Sequence, residues 1–126
     1  RLPIALDLKP RVVILELGGN DGLRGLPLEK TRENLFTLAK AFQGAGAKVV
    51  IAGMTLPPNY GPDYVKKFEA IYVDLAQELK LARIRFLLEG VWDQPGLMQG
   101  DGIHATVKGN EAVAKNVLKT LEPLLR

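Results

Sequence analysis

The residues best suited to chemistry lie in one short stretch, Gly100-Asp101-Gly102-Ile103-His104, which holds the only histidine of the 126-residue chain. A carboxylate three residues ahead of an imidazole can accept its Nδ1–H, fix the tautomer and leave Nε2 free to take a proton. Glycines on both sides of Asp101 permit the tight, positive-φ backbone that lets two such side chains converge. The same spacing also occurs in ordinary surface turns, so the rest of the chain has to decide between a dyad and a turn. A general base needs a nucleophile to serve, yet the sequence contains no cysteine and no serine. That composition excludes disulfides, thiolate metal ligands and a Cys nucleophile. Thr55, at the end of an apolar run, and Thr106, two residues past the histidine, are the hydroxyls placed nearest to such a role. A threonine nucleophile needs a base within ~3 Å and room for its methyl group, and nothing in the pattern points to either. One histidine among scattered carboxylates offers no metal-ligand spacing, so neither a metal nor a cofactor is expected.

The elements that must position this stretch are read from periodicity. Residues 1–9 carry apolar positions near helical spacing and stop at Pro10, as the tail of a helix would. Arg11–Leu17 is a β-branched run almost without polar breaks, which fits a parallel strand covered on both faces. Gly18-Gly19-Asn20-Asp21-Gly22 follows as a loop able to take unusual backbone angles. Leu35, Leu38, Ala39 and Phe42 make one apolar face of a helix over 28–43, closed by Gly44 and Gly46. Lys48–Met54 is a second buried strand, opening into the proline-stiffened loop Thr55–Gly61. A helix starts at about Pro62, a residue suited to the first turn, and repeats Tyr64, Phe68, Ile71, Leu75 and Leu79 on one side. Ala82–Leu88 is a third, shorter strand. Glu89–Ala105 has no clear period, a length that in a compact domain is usually functional or mobile. Thr106 can cap a last helix whose face is Val113, Val117, Leu121 and Leu124.

Alternating strands and helices predict an α/β fold with a parallel sheet and right-handed crossovers. Ligands in such sheets bind at the carboxyl ends of the strands. The loops 18–22, 55–61 and 89–104 leave that edge together, which brings Asn20 to the same side as Asp101 and His104. Trp92 and Tyr60 are candidates to gate a pocket there or simply to pack on their loops. Asp21 reads as a carboxylate that stabilises its loop.

Composition sets the outer bounds. A chain that is 47% hydrophobic and 25% charged is an ordinary globular one, expected as a single domain over 1–126 burying more than ~60% of its unfolded surface. Net charge is +3 and the pI about 9.3, but Lys and Arg are interspersed with Asp and Glu. A nucleic-acid groove calls for a basic stripe interleaved with aromatic residues, so no nucleic-acid partner is expected. No apolar run reaches the ~18 residues needed to cross a bilayer. The chain begins at Arg1 rather than Met, and further sequence upstream is expected.

Two fragments resemble one known family. Leu15-Glu16-Leu17-Gly18-Gly19-Asn20-Asp21-Gly22 is similar to the third conserved block of the SGNH (GDSL-type) hydrolases, and Asp101-Gly102-Ile103-His104 to their fifth. Leu56-Pro57-Pro58-Asn59-Tyr60-Gly61 fits between them in order and separation, and the resemblance is nearest to the bacterial thioesterase/lysophospholipase/arylesterase branch. The resemblance implies a three-layer, flavodoxin-like fold with sheet order 2-1-3-4-5, of which the strands here correspond to 3, 4 and 5. It implies that His104 is the general base, Asp101 its orienter and Asn20 an amide donor to the oxyanion, supported by Gly18, Gly19 and Gly22. An amide aimed at developing charge is worth roughly 3 kcal/mol in acyl transfer. Leu56, Pro57 and Tyr60 would touch the acyl chain of a small ester or thioester substrate. The family's Gly-Asp-Ser block, on its first strand, is absent, so the nucleophile would come from a serine-bearing N-terminal segment. Val12–Leu17 should then be central in the complete sheet but lack its inner neighbour here, leaving an open edge. That edge implies a separate partner segment, a second copy of the chain in a homo-oligomer, or an incomplete sequence. A catalytically inactive fragment that self-associates through the edge is the alternative. Relatives of this branch are often exported, which implies a periplasmic or secreted location.

Overall fold

The computed structural model describes all residues from Arg1 to Arg126. In chain order the elements are α1 (Leu2–Asp7), β1 (Val12–Leu15), α2 (Gly19–Leu23), α3 (Leu28–Gly44), β2 (Lys48–Ala52), α4 (Pro62–Leu79), β3 (Ala82–Ile84) and α5 (Val107–Leu121), with 3-10 turns at Pro58–Tyr60 and Glu122–Leu125. The three strands are parallel in the order β1-β2-β3, with Val13 opposite Val49 and Ile51 opposite Arg83. Each crossover passes through a helix, so every strand delivers its carboxyl end to the same edge.

Burial explains which runs become strands. In β2, Val49, Val50, Ile51 and Ala52 are all buried, because the sheet is covered on both faces at its centre. One face holds the main core: Leu35, Ala39 and Phe42 from α3 and Phe68, Ile71, Tyr72 and Leu75 from α4 close over Leu15, Val49 and Ile51. The other face is thinner. Val50, Ala52 and Ile84 form its core, with Val117 of α5 and Leu124 packed against them. Strand β1 has β2 on one side and no strand on the other, and Ile14 is 38% exposed. Its apolar run is therefore half covered, the open edge expected of a strand without its inner neighbour.

Several boundaries differ from the periodicity reading. Arg11, Glu16 and Leu17 lie outside β1, and Arg85–Leu88 lies outside β3, which is three residues long. Apolar character continues past the last paired residue, but Leu17 is 50% exposed and Phe86, Leu87 and Leu88 are only half-buried. The expected loop at Gly18–Gly22 is instead a helical turn, Gly19–Leu23, entered through Gly18 at φ +101°. Gly22 sits in that turn under Phe68 and Leu56, and a Cβ there would come within 2.8 Å of the Phe68 ring. Gly18 thus takes the unusual backbone angle expected of this segment, and Gly22 is required by close packing. No helix is long and apolar enough to cross a membrane.

Candidate active site

The long connection after β3 is a pinned structure, despite its lack of sequence period. Met98 and Ala105 form an antiparallel bridge, and the Gln99 amide donates to the His104 carbonyl at 2.8 Å. The Gln99 side chain donates to the Ala105 carbonyl at 3.0 Å. Thr106 fixes the base of this narrow turn: its amide donates to the Leu97 carbonyl, its hydroxyl donates to the Gly96 carbonyl at 2.8 Å, and the same oxygen caps α5 by accepting from the Gly109 amide at 3.1 Å. Gly109 lets the first turn of α5 lie directly on the Leu97 carbonyl, where a Cβ would overlap it.

At the tip of the turn, Asp101 organises the histidine. Its Oδ1 accepts the backbone amides of Ile103 at 2.9 Å and His104 at 3.0 Å, and its Oδ2 lies 2.7 Å from His104 Nδ1. Gly102, at φ +70°, supplies the backbone reversal between them. The imidazole hydrogen bond, followed by the two amides, lowers the Asp101 pKa to about 2. An ionised carboxylate on Nδ1 fixes the tautomer with the proton there and leaves Nε2 with its lone pair free. The histidine side chain is 71% exposed, so Nε2 is open to an incoming group.

The oxyanion candidate lies beyond β1. Asn20 is in the first turn of α2, and because the strands are parallel its loop leaves the same sheet edge as the turn carrying His104. Gly18 supplies the left-handed residue at the entry, and a Cβ on Gly19 would lie 3.2 Å from Met54 Sδ at the exit of β2. Asp21 accepts from the Thr31 hydroxyl at 3.1 Å. The Tyr72 hydroxyl donates to the Leu17 carbonyl at 2.8 Å, just before the glycine pair. Tyr72 and Thr31 have no chemical signature in the sequence. The available signal was a Tyr four residues past Phe68 on an apolar face, and a Thr buried in the otherwise polar start of α3.

The three residues expected on the acyl side are placed differently from one another. Leu56 is 5% exposed and belongs to the main core, packed over Gly22. Tyr60 is half-buried and its hydroxyl donates to the Leu23 carbonyl at 2.8 Å, tying the 55–61 loop to the end of α2. Pro57 is exposed. Trp92 projects to solvent beside the fully buried Val91. No three His, Asp or Glu side chains gather in a way that would hold a metal ion.

The parallel sheet is thus covered by helices on both faces, with the His104–Asp101 pair in the loop that follows its last strand. Residues 1–112 match the GDSL-like lipase/acylhydrolase family, and the chain belongs to that family. It is 45% identical over 126 residues to the esterase TesA of Pseudomonas aeruginosa, covering 99% of this chain and 63% of that protein. It is 39% identical to the thioesterase 1/protease 1/lysophospholipase L1 of Escherichia coli, covering 99% of this chain and 61% of that one. A crystal structure of TesA superposes with a TM-score of 0.93 at 45% identity, covering 98% of this chain and 69% of its own. The chain therefore spans somewhat under two thirds of the length of these curated relatives.

Proposed function

We propose that this chain carries the base dyad and one oxyanion donor of a carboxylic-ester or thioester hydrolase, whose serine nucleophile comes from a segment outside these 126 residues. His104 Nε2 takes the proton of the serine hydroxyl as its oxygen adds to the acyl carbonyl. Asp101 holds the ring in register and offsets the charge of the imidazolium that forms. Asn20 donates its side-chain amide to the oxyanion, and His104 returns its proton to the departing alcohol or thiol. Water then attacks the acyl-enzyme with His104 again as base. The observation that supports this reading most directly is the 2.7 Å contact between His104 Nδ1 and Asp101 Oδ2, with Nε2 left open. The esterase and thioesterase names of the relatives suggest acyl esters and thioesters as substrates.

Intact-mass analysis of the purified protein, with sequencing of any co-purifying chain, identifies the serine-bearing segment. p-Nitrophenyl ester cleavage is then measured with that segment present. Activity should vanish in His104→Ala; full activity in that variant refutes the assignment of the base.

The open edge of β1 favours a second reading, a non-catalytic fragment that associates with its own copies through that edge. Light scattering on the purified chain, together with the ester assay, separates the two. An inactive oligomer without a serine-bearing partner supports the second.

A further inference from the structure

The first turn of α2 is held from below by a small polar cluster inside an otherwise apolar core. Tyr72 is 1% exposed and Thr31, the one polar side chain among the buried residues, is 2% exposed. A buried hydroxyl without a partner costs ~1–3 kcal/mol, and each of these two makes its hydrogen bond. Both bonds go to the same short segment. Tyr72 donates to the Leu17 carbonyl at 2.8 Å, and Thr31 donates to the Asp21 carboxylate at 3.1 Å. These two anchors bracket Gly18, Gly19 and Asn20 on either side. Gly18 lies directly over the pair, with no room for a Cβ above the Tyr72 hydroxyl and with Thr31 Cγ2 3.4 Å from where one would be. The Tyr72 ring is itself fixed edge-on against Phe68, with centroids 5.4 Å apart. Burial, with the Asp21 carboxylate nearby, pushes the phenol well above its ordinary pKa, so it remains a donor across the working range of pH.

We infer that Tyr72 and Thr31 are positioning residues for Asn20, fixing the carboxamide of an exposed side chain through two buried hydroxyls on the segments before and after it. The inference rests on the reading of Asn20 as the oxyanion donor. Removing such a donor costs ~10²–10³ in kcat, and a donor that is retained but loosened should lose a part of that, about tenfold. Ground-state binding does not involve the oxyanion, so KM should stay constant.

The test combines kinetics with nitrogen-15 NMR of the Asn20 side-chain amide, using Tyr72→Phe, Thr31→Val and Thr31→Ser. The kinetics are measured with the serine-bearing segment present, and the spectra on the chain itself. Tyr72→Phe and Thr31→Val should each lower kcat about tenfold at unchanged KM and should shift and broaden the Asn20 side-chain resonance. Thr31→Ser keeps the hydroxyl and should restore both. An Asn20 resonance that stays in place with unchanged kcat in both hydroxyl-deletion variants overturns the inference. Should Tyr72→Phe fail to fold, Thr31→Val against Thr31→Ser carries the test alone. Asn20→Ala separates the two levels: full kcat there refutes Asn20 as the oxyanion donor. A loss there, with Tyr72→Phe and Thr31→Val unchanged, refutes only the positioning role.

Discussion

Replacing Gly109 by Ala reverses an ordinary expectation. In a helix, Gly→Ala gains roughly 1 kcal/mol from reduced backbone entropy in the unfolded chain and better helix propensity. Gly109 is a helical residue of α5 with no positive φ, so its conformation suits alanine. The obstacle is contact. The added methyl would overlap the Leu97 carbonyl and lie 3.1 Å from Ala105 Cβ. The Leu97 carbonyl is backbone, already accepting from the Thr106 amide at 2.9 Å, so it cannot swing aside like a flexible side chain. Overpacking of this kind costs ~1–3 kcal/mol, and backbone overlap places Gly109 at the upper end. The net is a destabilisation of about 2 kcal/mol, a fall in Tm of roughly 6–10 °C for a chain of this size. Urea and thermal unfolding followed by circular dichroism measure it. Because the turn from Leu97 to Ala105 has to shift, the proton spectrum of the His104 ring should change as well. Equal or higher stability in Gly109→Ala would show that α5 does not press on this turn, and the account of how the dyad is supported would fail.

Other outcomes follow from the same geometry. Asn20→Ala should lower kcat by ~10²–10³ with little change in KM, measured as ester hydrolysis with the serine-bearing segment present. Asp101→Asn keeps an oxygen for the two backbone amides but presents an N–H to His104 Nδ1, which forces the proton onto Nε2; base activity should fall by several orders of magnitude while the fold stays intact. The Asp101 pKa is lowered in the folded state, so its contribution to the turn is complete above the ordinary carboxylate pKa and is lost as pH falls through about 2. A carbon-13 titration of the Asp101 carboxyl should show that midpoint, and one near 4 contradicts the hydrogen bonding described. Thr106→Ala removes the cap of α5 and the bond to the Gly96 carbonyl, and should cost at least ~1 kcal/mol in urea unfolding.

The parallel sheet and the edge its loops share were legible because both follow from local pattern, whereas the order of the strands was implied only by the family resemblance. Val49–Ala52 could only be buried on two faces, and alternation with helices made the sheet parallel. Asp101 and His104 were legible for a different reason: three residues separate them, so a turn suffices to join them. What the sequence left out is long-range. Tyr72 is 55 residues from the carbonyl it holds, and nothing in its surroundings names Leu17. Gly22 looked like loop flexibility because the side chains that need its missing Cβ, Leu56 and Phe68, come from two other segments. The same contact puts Leu56, which the family resemblance implied would touch the acyl chain, in the core. Leu17 and Arg85–Leu88 read as strand because apolar character does not register where hydrogen-bonding partners run out.

The imidazole and its carboxylate are tied together within a single reverse turn, with no distant residue between them. Its closure uses the backbone amides of Ile103 and His104, inside the turn that α5 supports. Variants that loosen the sheet should therefore keep an aligned base while losing the distance to whatever it serves.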